Sequence, residues 1–221
     1  MTLPLIPVLA AYLVATYLIC GIPFGKVVAG SKGVDIQHVG SGNIGTTNVA
    51  RSVGAGAAGL TLLFDAGKGL VCCGLARLVL GGLCLAGDAS TLEPGQSQDW
   101  FLALVFLACI VGHAFSPYLH FKGGKGIAVG FGAALGCAWP VGIGLAVVFF
   151  SIAFATRIVS LSSCCAAVSL PILCFFLLRP SITYLVIMVV IAALVVWSHR
   201  SNIERLRRGE ESKFAFHHDD K

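Results

Sequence analysis

Three polar segments of this chain combine glycines with cations, hydroxyls and amides, and such groups are suited to binding phosphate. They are Val39–Asn48 with Arg51 after it, Phe121–Gly126, and His199–Leu206. Glycine lets the backbone approach an anion closely, while backbone N–H groups, Lys and Arg supply positive charge. The three segments therefore predict a site for phosphorylated substrates.

The first segment contains Gly40-Ser41-Gly42-Asn43-Ile44-Gly45, which matches G-x-G-x-x-G, and Asp65 follows at the spacing of a dinucleotide-binding loop. That loop requires a first β-strand packed in a covered sheet. Here an uncharged run of about twenty residues precedes the glycines, as expected of a membrane span. We therefore reject dinucleotide binding.

A short helix over 45–53 is predicted to follow this loop, with Ser41 and Asn43 as good N-cap residues and free N–H groups that would face an anion. A glycine-rich turn that only caps a surface helix is the alternative. The side chains that the helix would gather on one face are Thr47, Asn48 and Arg51. The density of hydroxyl, amide and guanidinium groups exceeds what a turn needs, so we predict that this segment binds an anion.

The second segment, Lys122-Gly123-Gly124-Lys125-Gly126, places two cations among three glycines just before an apolar run. It is not a Walker A loop, because Leu119 stands where the first glycine would be and no Ser or Thr follows Lys125. It resembles a phosphate nest, in which glycines expose N–H groups to the anion. A basic turn at the membrane surface is the alternative.

In the third segment, His199 and Asn202 share one helical face just beyond the last apolar run. A charge series on another face is predicted to be solvated and stabilising; its members are Arg200, Glu204 and Arg208. Arg157 and Ser160, between two later apolar runs, are predicted to lie at the same face of the membrane as this segment. Each alone would be an ordinary basic loop residue or a helix cap.

The composition requires a membrane to position these segments. The chain is 57% hydrophobic and 11% charged, with a mean hydropathy of +0.91, and no linker divides it. We predict one membrane-embedded domain over 1–221, with a short tail over 199–221. The net charge of +5 gathers in loops and the tail, where basic residues mark the cytoplasmic side, so nucleic acid is an unnecessary partner.

Apolar runs fall at about 3–25, 57–83, 100–118, 127–156, 160–178 and 181–198. The first run lacks the basic flank and cleavage site of a signal peptide, so we expect it to be retained. Within the second, Asp65 and Lys68 are predicted to form a supporting ion pair, with direct substrate contact as the alternative. The fourth holds Pro140, near which it either kinks or divides into two short spans.

Loop charge decides between these topologies. With two spans over 127–156, twelve basic residues share one side against Arg179 alone, whereas one span gives a split of six against seven. We therefore predict an all-α protein with seven transmembrane helices, its N-terminus outside and its C-terminus cytoplasmic. All three polar segments would then lie at the cytoplasmic face, with the acidic loop 84–99 outside.

Nine cysteines are present, an odd number with no C-x-x-C spacing, and most fall inside apolar runs. We expect them to be reduced and buried, and no Cys/His cluster in the sequence indicates a metal. The small-x-x-x-small patterns Gly21–Gly25, Gly126–Gly130 and Gly132–Gly136 predict close helix packing.

The ordered combination of motifs resembles the bacterial membrane acyltransferases that move an acyl chain from acyl phosphate to glycerol 3-phosphate. The matching residues are Val39–Asn48 with Arg51, Phe121–Gly126, Arg157–Ser160 and His199–Leu206, together with Gly21–Gly25 and Gly112-His113. The chain departs from that family in the acidic loop near 84–99, the cysteine-rich spans and the closing segment Phe216–Lys221, none of which touches the matched motifs.

The resemblance implies a cytoplasm-facing site in the bacterial inner membrane, with lysophosphatidic acid and inorganic phosphate as products. It implies catalytic roles for Ser41, Arg51, Lys122, His199 and Asn202. The further residues that would bind substrate are Gly40, Gly42, Asn43, Thr47, Asn48, Gly123, Gly124, Lys125, Gly126 and Ser160. Acyl phosphate, glycerol 3-phosphate and the lipid bilayer are the implied partners, with a functional link to the enzyme that makes acyl phosphate, and no cofactor or metal is implied.

Three other functions are alternatives to the one that this resemblance implies. Glycerol-phosphate acyltransferases that use thioester donors carry a His-x4-Asp pair, which is absent from this sequence; His199 has Glu204 at that spacing instead. Inverted repeats would favour a transporter of a phosphorylated solute, but the sequence contains no convincing repeat. Another lipid-headgroup transferase is the third. The acceptor of the glycerol proton is either His199 or the phosphate of the substrate.

Overall fold

The computed structural model describes residues 2–213, and within them the chain is helical, without strands. Lys221, which entered the charge count, and the closing segment 216–221 lie outside the described residues. The helices are α1 (Leu5–Gly21), α2 (Phe24–Gly30), α3 (Thr46–Ser52), α4 (Ala55–Cys84), α5 (Trp100–Ala114), α6 (Ile127–Cys137), α7 (Trp139–Thr156), α8 (Val159–Leu178), α9 (Ile182–Ser198) and α10 (Arg200–Arg207).

Among the described residues, five helical segments are long and apolar enough to cross a membrane, and a sixth appears if α9 and α10, bent by 59°, count as one. These segments are α1 with α2, α4, α5 with the turn after it, α7, and α8. Helix α6 is apolar but only 11 residues long, about 16 Å against a hydrocarbon core of about 30 Å. The all-α membrane architecture is therefore confirmed, while the count of seven crossings stays a prediction.

The long apolar run 127–156 is divided at Ala138, the extended residue between α6 and α7. Gly142 lies against Leu135 across this break. Further along, Phe131 of α6 lines one apolar groove of about 400 Å³ with Val147 and Phe150 of α7. Such contacts require the two helices to run side by side in opposite directions. The predicted break near Pro140 is thus a reversal of the chain and not a kink.

Helix α6 packs closely against α4 through glycines, as its small-x-x-x-small pattern predicts. A side chain at Gly132 would meet the backbone of Ala66, and one at Gly136 would meet the backbone of Leu70. Since both pairs advance together along the chain, α4 and α6 run parallel. The loop before α6 and the loop before α4 therefore lie at the same end of the bundle.

The opposite end is closed by polar contacts. Arg77 donates to the carbonyl of Cys137 at 2.7 Å and pairs with Glu93 at 2.8 Å, so a cation neutralises the C-terminus of α6. Asp99, fully buried, accepts hydrogen bonds from the N–H and the hydroxyl of Ser181, which ties α5 to α9. Leu3 N–H donates to Leu83 O, which places the start of the chain at this end as well.

All nine cysteines lie within the described part of the chain and are free, as expected, and seven of them are buried. The sequence indicated no metal-binding cluster, yet the sulfur atoms of Cys20, Cys72 and Cys109 lie within 4.8 Å of one another. The Cys20 and Cys72 sulfurs are 4.0 Å apart, an ordinary packing distance for neighbouring thiols. These thiols act as small apolar groups in the core formed by α1, α4 and α5.

Candidate functional site

The three polar segments meet at one end of the bundle, around Lys125. Its ammonium donates to the side-chain oxygen of Asn202 at the start of α10. Burial is the main cause that lowers the pKa of Lys125, and the positive charges of Arg205 and Arg51 lower it further. Segments that are more than seventy residues apart in sequence are thus close enough to act on one ammonium group.

The first loop is tied together by one buried amide, that of Asn48. Its oxygen accepts from the N–H of Ser41 at 2.9 Å, and its nitrogen donates to the carbonyls of Ile36, Val39 and Asn43 at 2.9–3.2 Å. Gly40 passes directly over this amide with φ +59°, where a Cβ would collide with the Asn48 oxygen. All the hydrogen-bonding groups of Asn48 are used within the loop, so the structure gives it the task of holding the loop in shape.

The predicted caps of α3 are wrong. The helix begins at Thr46, and its N-cap is Gly45, which has no side chain to offer. Asn43 instead accepts a hydrogen bond from the N–H of Gly45 at 2.9 Å, which turns the chain just before the helix. Ser41 lies further back, where its N–H bonds to Asn48. The hydroxyl of Ser41 is therefore not spent on capping.

Arg51 lies in the last turn of α3 and is exposed. Among residues 2–213, no carboxylate lies within 4.0 Å of its guanidinium. Thr47, one turn earlier, is half-buried on the same helical face. The helix therefore presents an unpaired cation beside a hydroxyl, toward the end of the bundle that Lys125 occupies.

The second loop differs from the predicted nest in one respect. The N–H groups of Gly123 and Gly124 donate to the carbonyls of Ala114 and His113 at 2.9 and 3.0 Å. These glycines therefore hold the loop against the end of α5 and do not expose their N–H groups to an anion. Within residues 2–213, the loop N–H groups without a bonded acceptor are those of Lys125 and Gly126, at the start of α6.

Both lysines of this loop lack a carboxylate partner within 4.0 Å in the described residues. Lys125 is partly buried against the tail, whereas Lys122 is exposed and its side chain has no hydrogen bond or ion pair among residues 2–213. Two unpaired ammonium groups beside free backbone N–H groups form a strongly electropositive rim. An anion would be stabilised there by charge-assisted hydrogen bonds.

Asn202 connects this rim to the tail. Its oxygen accepts from Lys125, and its nitrogen donates to the Glu211 carboxylate at 2.6 Å. Arg205, one turn after Asn202, pairs with the same carboxylate at 2.7 Å. Burial opposes the charged form of Glu211, but hydrogen bonds from Asn202 and Arg205, with the Ser160 hydroxyl close by, keep its pKa below the ordinary value. Ser160, buried in the first turn of α8, thus joins the cluster.

His199 lies where α9 ends and is 3% exposed. Its Nδ1–H donates to the carbonyl of Val195 at 2.8 Å, which fixes the tautomer and leaves Nε2 as an acceptor in the neutral ring. Burial lowers the pKa of His199 to about 4, and the nearby Lys125 charge adds to this shift. The imidazole is therefore neutral near pH 7 and can accept a hydrogen bond from a hydroxyl.

Arg205 and Glu211 were not among the residues singled out by sequence reasoning as site residues. Gly209, with φ +73°, ends the helix after Arg208 and turns the chain back toward the cluster. A glycine at a helix end followed by an acidic residue was the available signal, but it does not say where the acid returns. The predicted solvated face is confirmed in part, since Arg208 pairs with Glu204 at the exposed surface.

The predicted ion pair inside the second span is confirmed. Lys68 Nζ lies 2.7 Å from Asp65 Oδ1, and both side chains are almost completely buried. The pair has a third neighbour that the sequence did not reveal, because His113 comes from α5, with Nδ1 3.2 Å from the ammonium. His113 in turn contacts the second loop at Gly124.

The sequence of this chain matches a known protein family along most of its length. The family model described as glycerol-3-phosphate acyltransferase matches residues 10–209. Curated proteins named glycerol-3-phosphate acyltransferase include one from Rubrobacter xylanophilus, 40% identical over 199 residues, covering 90% of this chain and 92% of the relative. Another, from Parasynechococcus marenigrum, is 41% identical over 201 residues, covering 90% and 86%.

Two solved structures also match, both of PlsY (YgiH), described as an integral membrane glycerol 3-phosphate acyltransferase. The glycerol 3-phosphate form has a TM-score of 0.82 and 33% identity, covering 94% of this chain and 96% of that one. The lysophosphatidic acid form has a TM-score of 0.80 and 32% identity, covering 94% and 95%. With the family model matching most of its length, this chain belongs to the glycerol-3-phosphate acyltransferase family.

Proposed function

We propose that the protein transfers an acyl chain from acyl phosphate to glycerol 3-phosphate, giving lysophosphatidic acid and inorganic phosphate in the first step of phospholipid synthesis. The observation that carries this proposal is the convergence, at one end of the bundle, of a buried, neutral His199 and cations that have no carboxylate within 4.0 Å among residues 2–213. Both substrates carry phosphate, and Arg51 and Lys125 come from separate segments. The relatives' names and the two PlsY forms support the same acceptor and product.

The chemistry suits such a site. An acyl phosphate is a mixed anhydride with a good leaving group, so positioning and cationic stabilisation supply much of the acceleration. The C–O bond to the departing phosphate breaks as the glycerol hydroxyl oxygen forms its bond to the acyl carbon. The electropositive rim at Lys122 and Lys125, together with Arg51, stabilises the phosphates. Ser41 and Ser160 offer hydroxyls that can orient the substrates. No covalent nucleophile is needed.

The hydroxyl proton must leave during this step. A histidine whose pKa is held near 4 is a weak base at neutral pH, whereas the phosphate dianion of a substrate binds a proton with a pKa of about 6. We therefore assign His199 the task of orienting the hydroxyl through Nε2 and assign the proton to a substrate phosphate. Asn202 and Lys125 hold the geometry around it.

We further propose seven crossings, with the N-terminus outside, the tail cytoplasmic, and the protein in the bacterial inner membrane. The reversal at Ala138 supports two crossings over 127–156. The segments around Lys125 and the tail carry most of the Lys and Arg, which favours the cytoplasm for that end. An active site there faces the water-soluble glycerol 3-phosphate and an enzyme that makes acyl phosphate.

A comparison of donors tests the reaction. Purified protein supplied with acyl phosphate and glycerol 3-phosphate should release phosphate and form lysophosphatidic acid in equal amounts, while acyl thioesters should be poor donors. Phosphate release and lipid product are measured together. Turnover with the thioester alone would overturn the proposed donor, and uptake of glycerol 3-phosphate into vesicles without turnover would identify a transporter.

The topology is checked with single cysteines and a membrane-impermeant maleimide applied to intact spheroplasts and to opened membranes. We expect Glu93→Cys to react in intact spheroplasts and Lys213→Cys to react only after opening, because the two residues lie at opposite ends of the bundle. The parent chain is the matched control, since seven of its nine cysteines are buried. Labelling of both positions from the same side would show that 127–156 crosses once.

The role of His199 is checked by pH. Because its pKa is lowered from 6.5 to about 4, the ring stays neutral between pH 4 and 6.5, where a free histidine would become charged. An acidic limb near pH 6 in kcat/KM should therefore belong to substrate phosphate and persist in His199→Gln, with activity within about tenfold of the parent. A folded His199→Gln protein that binds glycerol 3-phosphate but shows a loss of 10²–10⁴-fold, the size expected for a general base, would contradict this assignment.

A further inference from the structure

Three ionisable groups lie inside the apolar bundle, away from the cations that face substrate. The side chains of Asp65 and Lys68 are 1% and 3% exposed, and that of His113 is 4% exposed. Charged groups within membrane spans are costly and persist where they carry a task. A buried ion pair also contributes little stability compared with apolar residues of the same shape. A task other than stability is therefore indicated.

Lys68 connects three elements of the bundle through its ammonium group. Its ammonium lies 2.7 Å from Asp65 Oδ1, donates to the carbonyl of Ile22 at 2.7 Å, and donates to His113 Nδ1 at 3.2 Å. The ammonium thus has two hydrogen-bond acceptors, one at the break after α1 and one on α5, and an ion-pair partner on α4 itself. Since Nδ1 of His113 accepts, the ring proton is on Nε2, and the lysine determines both the tautomer and the orientation of the imidazole.

The imidazole touches the second loop directly. A Cβ at Gly124 would collide with His113 Nε2 and approach both neighbouring ring carbons, so the tip of the ring lies against the Gly124 backbone. The carbonyl of His113 accepts from the N–H of the same glycine at 3.0 Å. Gly124 immediately precedes Lys125, whose ammonium reaches Asn202. A turn of the imidazole would therefore displace the start of the cationic rim.

Lys68 is also connected to the first loop, indirectly through Ile22. Ile22 lies at the break between α1 and α2, where Pro23 interrupts the chain. Three residues later, Gly25 packs so closely on Ile44 that a Cβ would overlap its carbonyl. Ile44 belongs to the loop that Asn48 ties and that leads into α3 and Arg51. The same ammonium group therefore braces the supports of both substrate-facing loops.

We propose, resting on the proposed function, that Asp65, Lys68 and His113 form a positioning unit that fixes the separation between the first loop and the second loop. Substrates that carry phosphate span these loops, so a change in their separation weakens binding more than it lowers stability. The three residues act through Gly124 and Ile22 and do not touch substrate. They are positioning residues for glycerol 3-phosphate.

The sharpest variant is His113→Asn. The asparagine oxygen takes the place of Nδ1 and still accepts from Lys68, but the ring tip against Gly124 is lost. We expect the melting temperature in detergent to stay within a few degrees of the parent and KM for glycerol 3-phosphate to rise about tenfold, with a smaller change in kcat. Unchanged KM and kcat in this folded variant would overturn the proposal.

A double variant separates charge from position. Lys68→Met alone leaves Asp65 charged and unpaired, which can prevent folding. Asp65→Asn with Lys68→Met removes both charges while keeping similar shapes, so folding should be retained; the donor to Ile22 and His113 is still missing, so KM should remain raised. A double variant with parental KM and parental melting temperature would show that the pair has only a structural role.

Asp99→Asn is the matched control, because Asp99 is a buried carboxyl that ties helices at the far end of the bundle. It should lower the melting temperature and leave KM unchanged. Hydrogen exchange of the peptide that contains Gly123 and Gly124 gives a readout independent of turnover, and it should accelerate in His113→Asn because the loop loses its support. Accelerated exchange in a protein without turnover would reject the proposed function alone; parental exchange would reject the positioning unit.

Discussion

Arg51→Ala should lower kcat/KM for glycerol 3-phosphate by about 10- to 150-fold. The guanidinium is unpaired in the described structure and lies close enough to Lys125 to act on its pKa. A charge-assisted hydrogen bond to phosphate contributes roughly 1.5–3 kcal/mol, and this range converts to the fold-change given. Steady-state kinetics with each substrate varied in turn measures it and shows which phosphate the arginine contacts.

Arg208→Ala is the matched control for this loss of an arginine. Arg208 pairs with Glu204 on the exposed face of the tail, where an ion pair contributes little. Its replacement should change kcat/KM by less than about fivefold, and so should Lys213→Ala. Similar small losses at Arg51 and at both control positions would mean that the cations only orient the chain in the membrane.

Asn202→Asp should abolish most activity at alkaline pH and regain part of it as the pH falls. The amide nitrogen of Asn202 now lies 2.6 Å from Oε1 of Glu211. The substitution puts an oxygen in its place, so two carboxylates face each other at hydrogen-bond distance. Their repulsion raises the apparent pKa of the pair, and one shared proton relieves it at lower pH. We expect a loss of roughly a hundredfold or more at pH 8, the size of a broken buried charge contact.

The ratio of variant to parent kcat/KM, followed from pH 6 to 9, measures this effect. Asn202→Ala removes the same hydrogen bonds without adding charge, so its ratio should stay flat across that range. A flat ratio for Asn202→Asp as well would mean that the Glu211 carboxylate does not face residue 202 in the working enzyme. A melting curve for each variant separates lost folding from lost activity.

Much of the helical framework could be predicted because apolar runs and their interruptions are local features. The break near Pro140 was signalled by a proline within an uncharged run, and the structure places it at Ala138. The three polar segments were recognisable because glycines and cations are rare in such apolar chains. Their convergence followed from loop charge, which restricts which loops can share one side of a membrane.

The details of the site depend on contacts that no local pattern encodes. Asn48 was predicted to contact substrate, but a buried amide bonds to whatever carbonyls surround it, and those belong to a loop folded in three dimensions. Likewise, the N–H groups of Gly123 and Gly124 point toward the end of α5, a neighbour set by packing. His113 joined Lys68 for the same reason, since helices α4 and α5 meet only in the folded bundle.

Lys125 is hydrogen-bonded to Asn202, which is in turn hydrogen-bonded to Glu211. These bonds restrict when the site can form during synthesis and membrane insertion. The ribosome synthesises Lys125 long before Asn202 and Glu211, which emerge only after the last apolar helix, α9. A nascent chain with its earlier helices already in the bilayer therefore holds an unfinished site. On the proposed function, turnover would start only after α10 has been synthesised and has folded back, so insertion intermediates would not act on the substrates.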